Sequence, residues 1–265
     1  TDGYKEVTLL GQNVDSYLWF GGGAKKEFKN LNEKEKENST NFAQLIEMVA
    51  KINQNLRVRF STSNPQDMRD EVLNVMAKHK NICNYIHLPV QSGSNRILDI
   101  MKRGYTKEEY LGRIKKIREI LPDCGISMDM IAGFCSESEK DYKDTLDLMD
   151  QVKFDFGYMF KYSERPNTSA QRKFEDDVIE ETKQIRLAEI IEKQMAHSLI
   201  RNKETIGKTY EVLIEGESKK SKDKLFGRTA QNKVVVFDRK NYKKGQYVSV
   251  KIESCTAATL MGKVI

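Results

Sequence analysis

The sequence predicts an α/β protein in two parts: a partial TIM-like (β/α) barrel over residues 1–202 and a small all-β barrel over residues 203–265. Three observations carry this. Five apolar, strand-like runs are each followed by a helical pattern, with crossovers long enough to join parallel strands. Each run ends abruptly in small or polar residues: Gly11-Gln12-Asn13, Ser61-Thr62-Ser63, Gln91-Ser92-Gly93-Ser94, Gly133 with Glu137 beyond, and Tyr162-Ser163. In a barrel or open sheet of parallel strands, residues past the carboxyl ends converge on one face, and that face binds ligands. After residue 203 the pattern changes to short strands punctuated by glycine.

The first run, Glu6–Leu10, leads into a stretch holding Gly21-Gly22-Gly23 and Lys34-Glu35-Lys36-Glu37-Asn38, which has no apolar periodicity and reads as a long, mobile insertion. Asn41 is placed to cap a helix with Phe42, Leu45, Ile46, Val49 and Ile52 on one face. After strand Arg57–Phe60, Asn64-Pro65 prevents an early helix start, and Asp67 is placed to cap a helix turning Val72, Leu73 and Met76 inward. Strand Tyr85–Val90 precedes Ser94, which opens a helix with Ile97, Leu98 and Met101, closed by Gly104. Thr106 caps the next, with Tyr110, Ile114 and Ile117 on one stripe and Pro122 at its end. Strand Ile126–Ala132 is followed by Ser138 and a helix carrying Tyr142, Leu146 and Met149. After strand Asp155–Lys161, Asp176 or Asp177 starts a long helix to about Arg201, expected to turn Ile179, Ile185, Ala188, Ile191 and Met195 inward. The strands expected last are Tyr210–Ile214, Leu225–Ala230, Val234–Phe237, Tyr247–Ile252 and Thr259–Val264. Their number and spacing suggest a barrel of the oligonucleotide-binding type.

Composition narrows the function classes. No apolar run approaches the length of a membrane span, and Thr1–Leu10 offers neither the basic start nor the apolar stretch of a secretory signal. The four cysteines, Cys83, Cys124, Cys135 and Cys255, are scattered without short pairing and read as reduced, in a cytoplasmic protein. Residues 203–265 hold 14 Lys and Arg against 7 Asp and Glu, while the rest of the chain carries a net charge of −1. A basic module on a near-neutral domain fits a polyanion such as RNA, the plainer reading being a lysine-rich solubilising surface. Lys219, Lys220, Lys222, Lys224, Arg228, Lys233, Arg239, Lys240, Lys243 and Lys244 are the candidates to neutralise phosphates. Tyr210, Phe226, Phe237, Tyr242 and Tyr247 interleave with them, although aromatics on strands are more often core.

Blocks spread along the chain resemble the methylthiotransferases of the radical S-adenosylmethionine class. They are Leu9-Leu10-Gly11-Gln12-Asn13-Val14, Arg59-Phe60-Ser61-Thr62-Ser63, His87-Leu88-Pro89-Val90-Gln91-Ser92-Gly93-Ser94, Met101-Lys102-Arg103-Gly104-Tyr105-Thr106, Gly133-Phe134-Cys135-Ser136-Glu137 and Tyr162-Ser163-Glu164-Arg165-Pro166. The carboxyl-terminal module resembles a TRAM domain. Gly-Gln-Asn-Val and Tyr-Ser-Glu-Arg-Pro resemble the tRNA branch, which adds a methylthio group at carbon 2 of an isopentenylated adenosine beside the anticodon. The branch acting on a ribosomal protein is the alternative within the class, and an RNA-binding protein with a catalytically silent barrel is the alternative outside it.

The resemblance implies S-adenosylmethionine, two [4Fe–4S] clusters, an anticodon stem-loop of tRNA as partner, an electron donor such as flavodoxin, and a monomer. The class holds one cluster with Cys-x3-Cys-x2-Cys, because one short loop must aim three thiolates at one cluster. The cysteines of this chain are 41, 11 and 120 residues apart, so it offers no such triad and no metal-ligand set. The expectation is a fragment lacking the cluster loop and a further amino-terminal domain. The resemblance also implies that Gln12 and Asn13 reach the amino-acid or ribose end of the cofactor. Ser61, Thr62, Ser63, Gln91 and Ser92 would then bond its ribose and carboxylate. Gly133 would let the backbone approach the adenine, Tyr162 would stack on it or hold its edge, and Glu137 would stand beside it. Ordinary turn and capping chemistry is the plain alternative for each. His87, inside an apolar strand, reads as a satisfied core histidine, and Cys135 as a small apolar filler.

Overall fold

The structure is a computed structural model of the chain and describes residues 3–61 and 63–265. Five parallel strands follow one another: β1 (Glu6–Leu10), β2 (Arg57–Ser61), β3 (Tyr85–His87), β4 (Gly125–Ala132) and β5 (Phe156–Lys161). β1 pairs with β2 from Glu6↔Arg57 to Leu10↔Ser61, and β3, β4 and β5 form a second ladder. A bridge between Val58 and Ile82 and a bond from Ser63 N–H to the His87 carbonyl join the two ladders, so the strands stand in chain order. Between β1 and β2 the expected insertion holds 3-10 turns, a single helical turn (Glu33–Glu37) and a two-residue pairing of Leu18–Trp19 with Thr40–Asn41.

The two faces of this sheet have opposite chemistry. Val58, Phe60, Ile86, Ile126, Met128 and Met130 point into one buried core with residues of helices α1 (Phe42–Ile52), α2 (Asp70–Lys78), α3 (Asn95–Ile100), α4 (Lys107–Ile120) and α5 (Glu139–Val152). The alternate residues Arg57, Arg59, Tyr85, His87, Ser127 and Asp129 line the inner, polar face, which ends on β5 in the half-exposed Phe156, Tyr158 and Phe160. The helix starts expected at Asn41, Ser94, Thr106 and Ser138 are all side-chain caps, three of them capping boxes. Asp67 is not a cap: its carboxylate takes the Asn13 amide, and the helix begins at Asp70 after an uncapped Arg69.

After β5 come α6 (Ser169–Lys173) and the long α7 (Glu180–Lys203), whose first residue follows Ile179 rather than Asp177. The inward stripe expected on α7 is turned outward. Ile185 is 60% and Met195 57% exposed, whereas Lys183, Arg186, Ile190, Gln194, His197, Ser198 and Asn202 are buried. The cause is a set of polar partners supplied by the barrel, including Glu137 for Arg186, the Phe154 carbonyl for Gln194 and the Asp155 carbonyl for Ser198.

The last part is a closed barrel of β6 (Thr209–Ser218), β7 (Ser221–Arg228), β8 (Val234–Asp238), β9 (Tyr247–Cys255) and β10 (Leu260–Val264), paired in the order β8-β10-β9-β6-β7. β8 and β10 are parallel and the other pairs antiparallel, which closes five strands as the oligonucleotide-binding type requires. Phe237, Val235, Val250 and Leu260 fill its core, while Phe226 is only partly buried. Its β7–β8 loop, residues 229–233, sits under the amino-terminal ends of the parallel strands. Arg57 and Arg59 donate to the Arg228 and Thr229 carbonyls, both at 2.8 Å, and Lys233 Nζ meets Asp155 at 2.7 Å. A Cβ on Gly125 would lie 2.5 Å from the Gln231 carbonyl oxygen, so the start of β4 must be glycine for the loop to seat. The module closes one end of the parallel strands and leaves their carboxyl ends free.

Candidate cofactor face and nucleic-acid interface

The ends of β1 and β2 and the residues beyond them gather a polar cluster. Gln12 is exposed, Asn13 and Ser61 are half-buried, and Ser63 is buried; Thr62 lies outside the described residues. Asp15, which the sequence reading missed, is buried and accepts the Asn64 N–H at 3.2 Å. Burial pushes its carboxyl up to about 7; the Asn64 bond opposes this and the neighbouring Asp67 adds to it. Asn13 Oδ1, Asp15 Oδ2 and Ser63 Oγ are buried without a partner among the described residues. Such atoms are costly unless something binds them.

Beyond β3, Gln91 has φ 73°, a left-handed conformation that a residue with a long side chain rarely adopts. Its N–H donates to the Asp129 carbonyl and its own carbonyl accepts from Ile131, which stitches the turn to β4. Strain of this kind is a mark of ligand-binding turns. Ser92 is a correction. Its hydroxyl is fully buried, accepts the Ser94 N–H at 3.1 Å and lies 3.4 Å from Thr145 Oγ1, so it is engaged by a local turn and by the middle of α5.

Beyond β4, Gly133 has φ 71°, and a Cβ there would run into the aliphatic stem of Lys183. That crowding, brought by α7, is what demands glycine; approach of an adenine is not needed to explain it. Glu137 is buried and turned inward, accepting from the Gly133 N–H at 3.0 Å and from Arg186 at 2.8 Å. Its pKa is held above the ordinary carboxylate value by burial, against the pull of those two donors. Tyr162 packs edge-on against Phe134, with Lys183 Nζ 5.5 Å from its ring centre. Lys183 itself is buried and bonded to Asp176 at 2.6 Å. No sequence signal marked it, since lysines on a charged helix ordinarily face solvent. The inner face is satisfied internally: His87 Nδ1 is 2.8 Å from Ser127 Oγ and Nε2 3.3 Å from Asp129, as a core histidine should be. Cys135 is buried beside Ile97 and Phe134, and burial raises its thiol pKa, as expected of a filler.

On the terminal barrel, Lys219, Lys220, Lys222, Lys224, Arg239, Lys240, Lys243 and Lys244 are exposed. Those around the β6–β7 turn are tied to the β8 end, where Arg239 donates to the Lys222 carbonyl and pairs with Glu217, while Lys243 and Lys244 belong to the β8–β9 loop, which lies against Lys5. Lys233 is a correction: its ammonium is spent on Asp155 and Asn202, and its side chain is 11% exposed. Arg228 is half-buried and shared between Glu215 and Asn232. Both stand at the junction with the parallel sheet, away from the lysine cluster.

Among the described residues no group of three His, Cys, Asp or Glu could hold a metal ion, and no helix is long and apolar enough to cross a membrane. The family model for the Radical SAM superfamily matches residues 2–149. The chain belongs to the Radical SAM superfamily. The polar cluster described above lies at the carboxyl ends of a radical SAM domain, and the model for the TRAM domain matches residues 203–265, which include the closed barrel. Two relatives are called tRNA-2-methylthio-N(6)-dimethylallyladenosine synthase. The one from Christiangramia forsetii is 58% identical over 99% of this chain and 55% of its own length, and the one from Bacteroides fragilis 50% identical over the same shares. The chain therefore spans about half the length of the curated relatives it matches. The solved structure of coproporphyrinogen III oxidase from Escherichia coli, a Radical SAM enzyme, aligns over 76% of this chain and 52% of its own, at 13% identity and a TM-score of 0.48.

Proposed function

We propose that this chain is the part of a tRNA methylthiotransferase that holds S-adenosylmethionine and grips the RNA. The single observation behind this is a radical SAM domain whose carboxyl-end face gathers unpartnered polar atoms, joined to a TRAM barrel that presents eight exposed basic side chains.

The donor set fits a zwitterionic cofactor. Asn13 Oδ1 is a buried acceptor suited to an ammonium group or to ribose hydroxyls, and Ser63 Oγ and the Asp15 carboxyl, whose pKa is pushed up to about 7, can donate as well as accept beside it. Ser61 and Gln12 stand beside them, and the strained Gln91 turn forms the adjoining rim. Bound there beside a reduced cluster, S-adenosylmethionine supplies hydrogen-abstracting radical chemistry and the methyl group. The cluster itself finds no fitting ligands among the described residues. What this chain's residues do is bind and orient. Glu137 and Arg186 brace the Gly133 turn, and Lys183 props Tyr162. On this reading the RNA partner is the anticodon stem-loop of a tRNA carrying the dimethylallylated adenosine of the relatives' names, engaged by the exposed lysines through its phosphates.

The test is fluorescence anisotropy of an anticodon stem-loop carrying that adenosine, measured across a salt series. Binding should weaken steeply as salt rises. Absence of binding at low salt sinks the RNA half of the proposal. In parallel, equilibrium dialysis with S-adenosylmethionine should give saturable binding that Ser63→Ala and Asn13→Ala weaken. Equal binding by wild type and both variants sinks the cofactor half.

A further inference from the structure

We infer that the cavity between β5, α7 and the terminal barrel takes an unpaired nucleobase of the RNA. The inference rests on the RNA-binding reading above and adds a second point of contact, distant from the lysine cluster. The cavity has a volume of about 450 Å³ and is walled by Phe156 and Tyr158 of β5, Met195 of α7, Gln231 and Asn232 of the β7–β8 loop, and Ala258 of the β9–β10 loop. A void of this size at the junction of two folded units is where small planar groups bind.

Its chemistry selects a base. Phe156 and Tyr158 are 48% and 51% exposed, large apolar rings left half in solvent on a sheet face that is otherwise polar. They meet edge to face, with centres 5.0 Å apart, and His87 meets Tyr158 in the same way at 5.9 Å. The ladder is thus rigid, and a flat heteroaromatic ring can stack on it. Two of the side chains lining the cavity, Gln194 and Gln231, each have a buried carbonyl oxygen without a partner. The Gln194 amide group is already spent on the Phe154 carbonyl and Ser198 Oγ. The amide side chains of Gln231 and Asn232 beside the aromatic wall favour a heteroaromatic ring with polar edges over an aliphatic or acidic ligand. The carboxylate in the wall, Asp155, is neutralised by Lys233 at 2.7 Å and Arg201 at 3.5 Å, so it does not repel a polyanion.

Continuity with the basic face commits the occupant to RNA. β7 and β8 are the second and third strands of the barrel, the face that binds oligonucleotides in this barrel type. Lys222 and Lys224 lie near one end of β7, and Arg228 lies at the other, on the cavity wall. A single strand whose phosphates follow the lysines can splay one base into the cavity, as RNA recognition commonly does. The adenine of a free nucleotide shares this chemistry, and the experiment must separate the two sources.

The experiment measures anisotropy of the labelled anticodon stem-loop with the full chain, beside a blunt RNA duplex of equal length and an adenosine monophosphate titration. Tyr158→Ala and Tyr158→Leu should each weaken stem-loop binding about tenfold without changing the salt slope, with the duplex unaffected, while Tyr158→Phe keeps wild-type affinity. The leucine variant fills the apolar volume and lacks only the aromatic face, which separates loss of stacking from loss of folding. If wild type binds the stem-loop with a steep salt slope and the alanine and leucine variants bind equally well, the assignment is overturned while the RNA reading stands. It is also overturned if adenosine monophosphate binds saturably at Tyr158 without displacing the stem-loop. No stem-loop binding by wild type would overturn both readings together.

Discussion

Asp15 shows how one buried carboxyl ties the proposed cofactor face to pH. Its value moves from 3.8 up to about 7 because the charged form is desolvated. Between those values the folded chain holds a proton that the unfolded chain has released. Stability must therefore fall as pH rises from about 4 to about 7 and stay reduced above that range. Asp15→Asn keeps an oxygen for the Asn64 N–H and is never charged. Urea unfolding should show wild type losing about 2–3 kcal/mol relative to Asp15→Asn between about pH 5 and about pH 8. Parallel stability curves for the two proteins would show that Asp15 stays ionised in the fold, with a cation or water meeting its free oxygen. The same residue marks a limit of sequence reading. An aspartate after a Gly-Gln-Asn turn looks like one more exposed loop acid, and only the packing of Val14 and the Ser63–Asn64 turn around it makes it special.

Helix starts were legible in the sequence because capping is local: Asn41, Thr106 and Ser138 meet the third residue ahead whatever the rest of the chain does. Most strand positions were legible from apolar runs that end in small or polar residues, and so was the small barrel with its glycines, although the strand expected over Tyr85–Val90 is formed only over Tyr85–His87, ahead of Pro89, which has no N–H to give a ladder. The facing of α7 was not. Hydrophobic periodicity assumes that the buried side of a helix is apolar, and here the buried side is Lys183, Arg186, Gln194, His197 and Ser198, answered by Asp176 just ahead of the helix for Lys183 and by partners 40 or more residues away for the others. The same blindness affects the site. Ser92 and Gly133 stand where a ligand-binding face predicts them, yet α5 and α7 claim their chemistry. Neighbours on α7 therefore have opposite expected responses. Ile185→Gln, on the exposed side, should change stability by no more than about 0.5 kcal/mol. Arg186→Ala should cost about 3–5 kcal/mol, because Glu137 is left buried without its cation. Denaturant unfolding of both variants checks this, and a costly Ile185→Gln beside a neutral Arg186→Ala would mean that the helix is rotated from the orientation described.

At the scale of the whole molecule, the question is whether the two parts act as beads on a string or as one body. The β7–β8 loop is built into the floor of the parallel sheet through Arg57, Arg59, Gly125, Asp155 and Asn202, so basic residues of the terminal module divide into two populations with different work. Lys222 faces solvent and holds nothing; Lys233 is spent inside the junction, where Asp155 is nearly inaccessible. Removing Lys222 subtracts one phosphate contact. The slope of log affinity against log salt should fall by about 0.7–0.9 while thermal stability stays put. Removing Lys233 should do the reverse. Asp155 keeps the Ile126 N–H at 3.0 Å, but of its two cations only Arg201 remains, at 3.5 Å, and the junction should lose about 3–5 kcal/mol, with the salt slope unchanged. Calorimetry on Lys233→Ala then separates the two pictures. If the parts form one cooperative unit, wild type melts in a single transition and the variant melts earlier or in two steps. A Lys233→Ala protein that melts as wild type does, but binds RNA with a shallower salt slope, would place Lys233 among the phosphate contacts and loosen the floor from the fold. The junction matters for function because it fixes where the lysine cluster stands relative to the free carboxyl ends of the strands. A rigid floor delivers an RNA held on the terminal barrel to one place on the parallel sheet, and a hinged one would not.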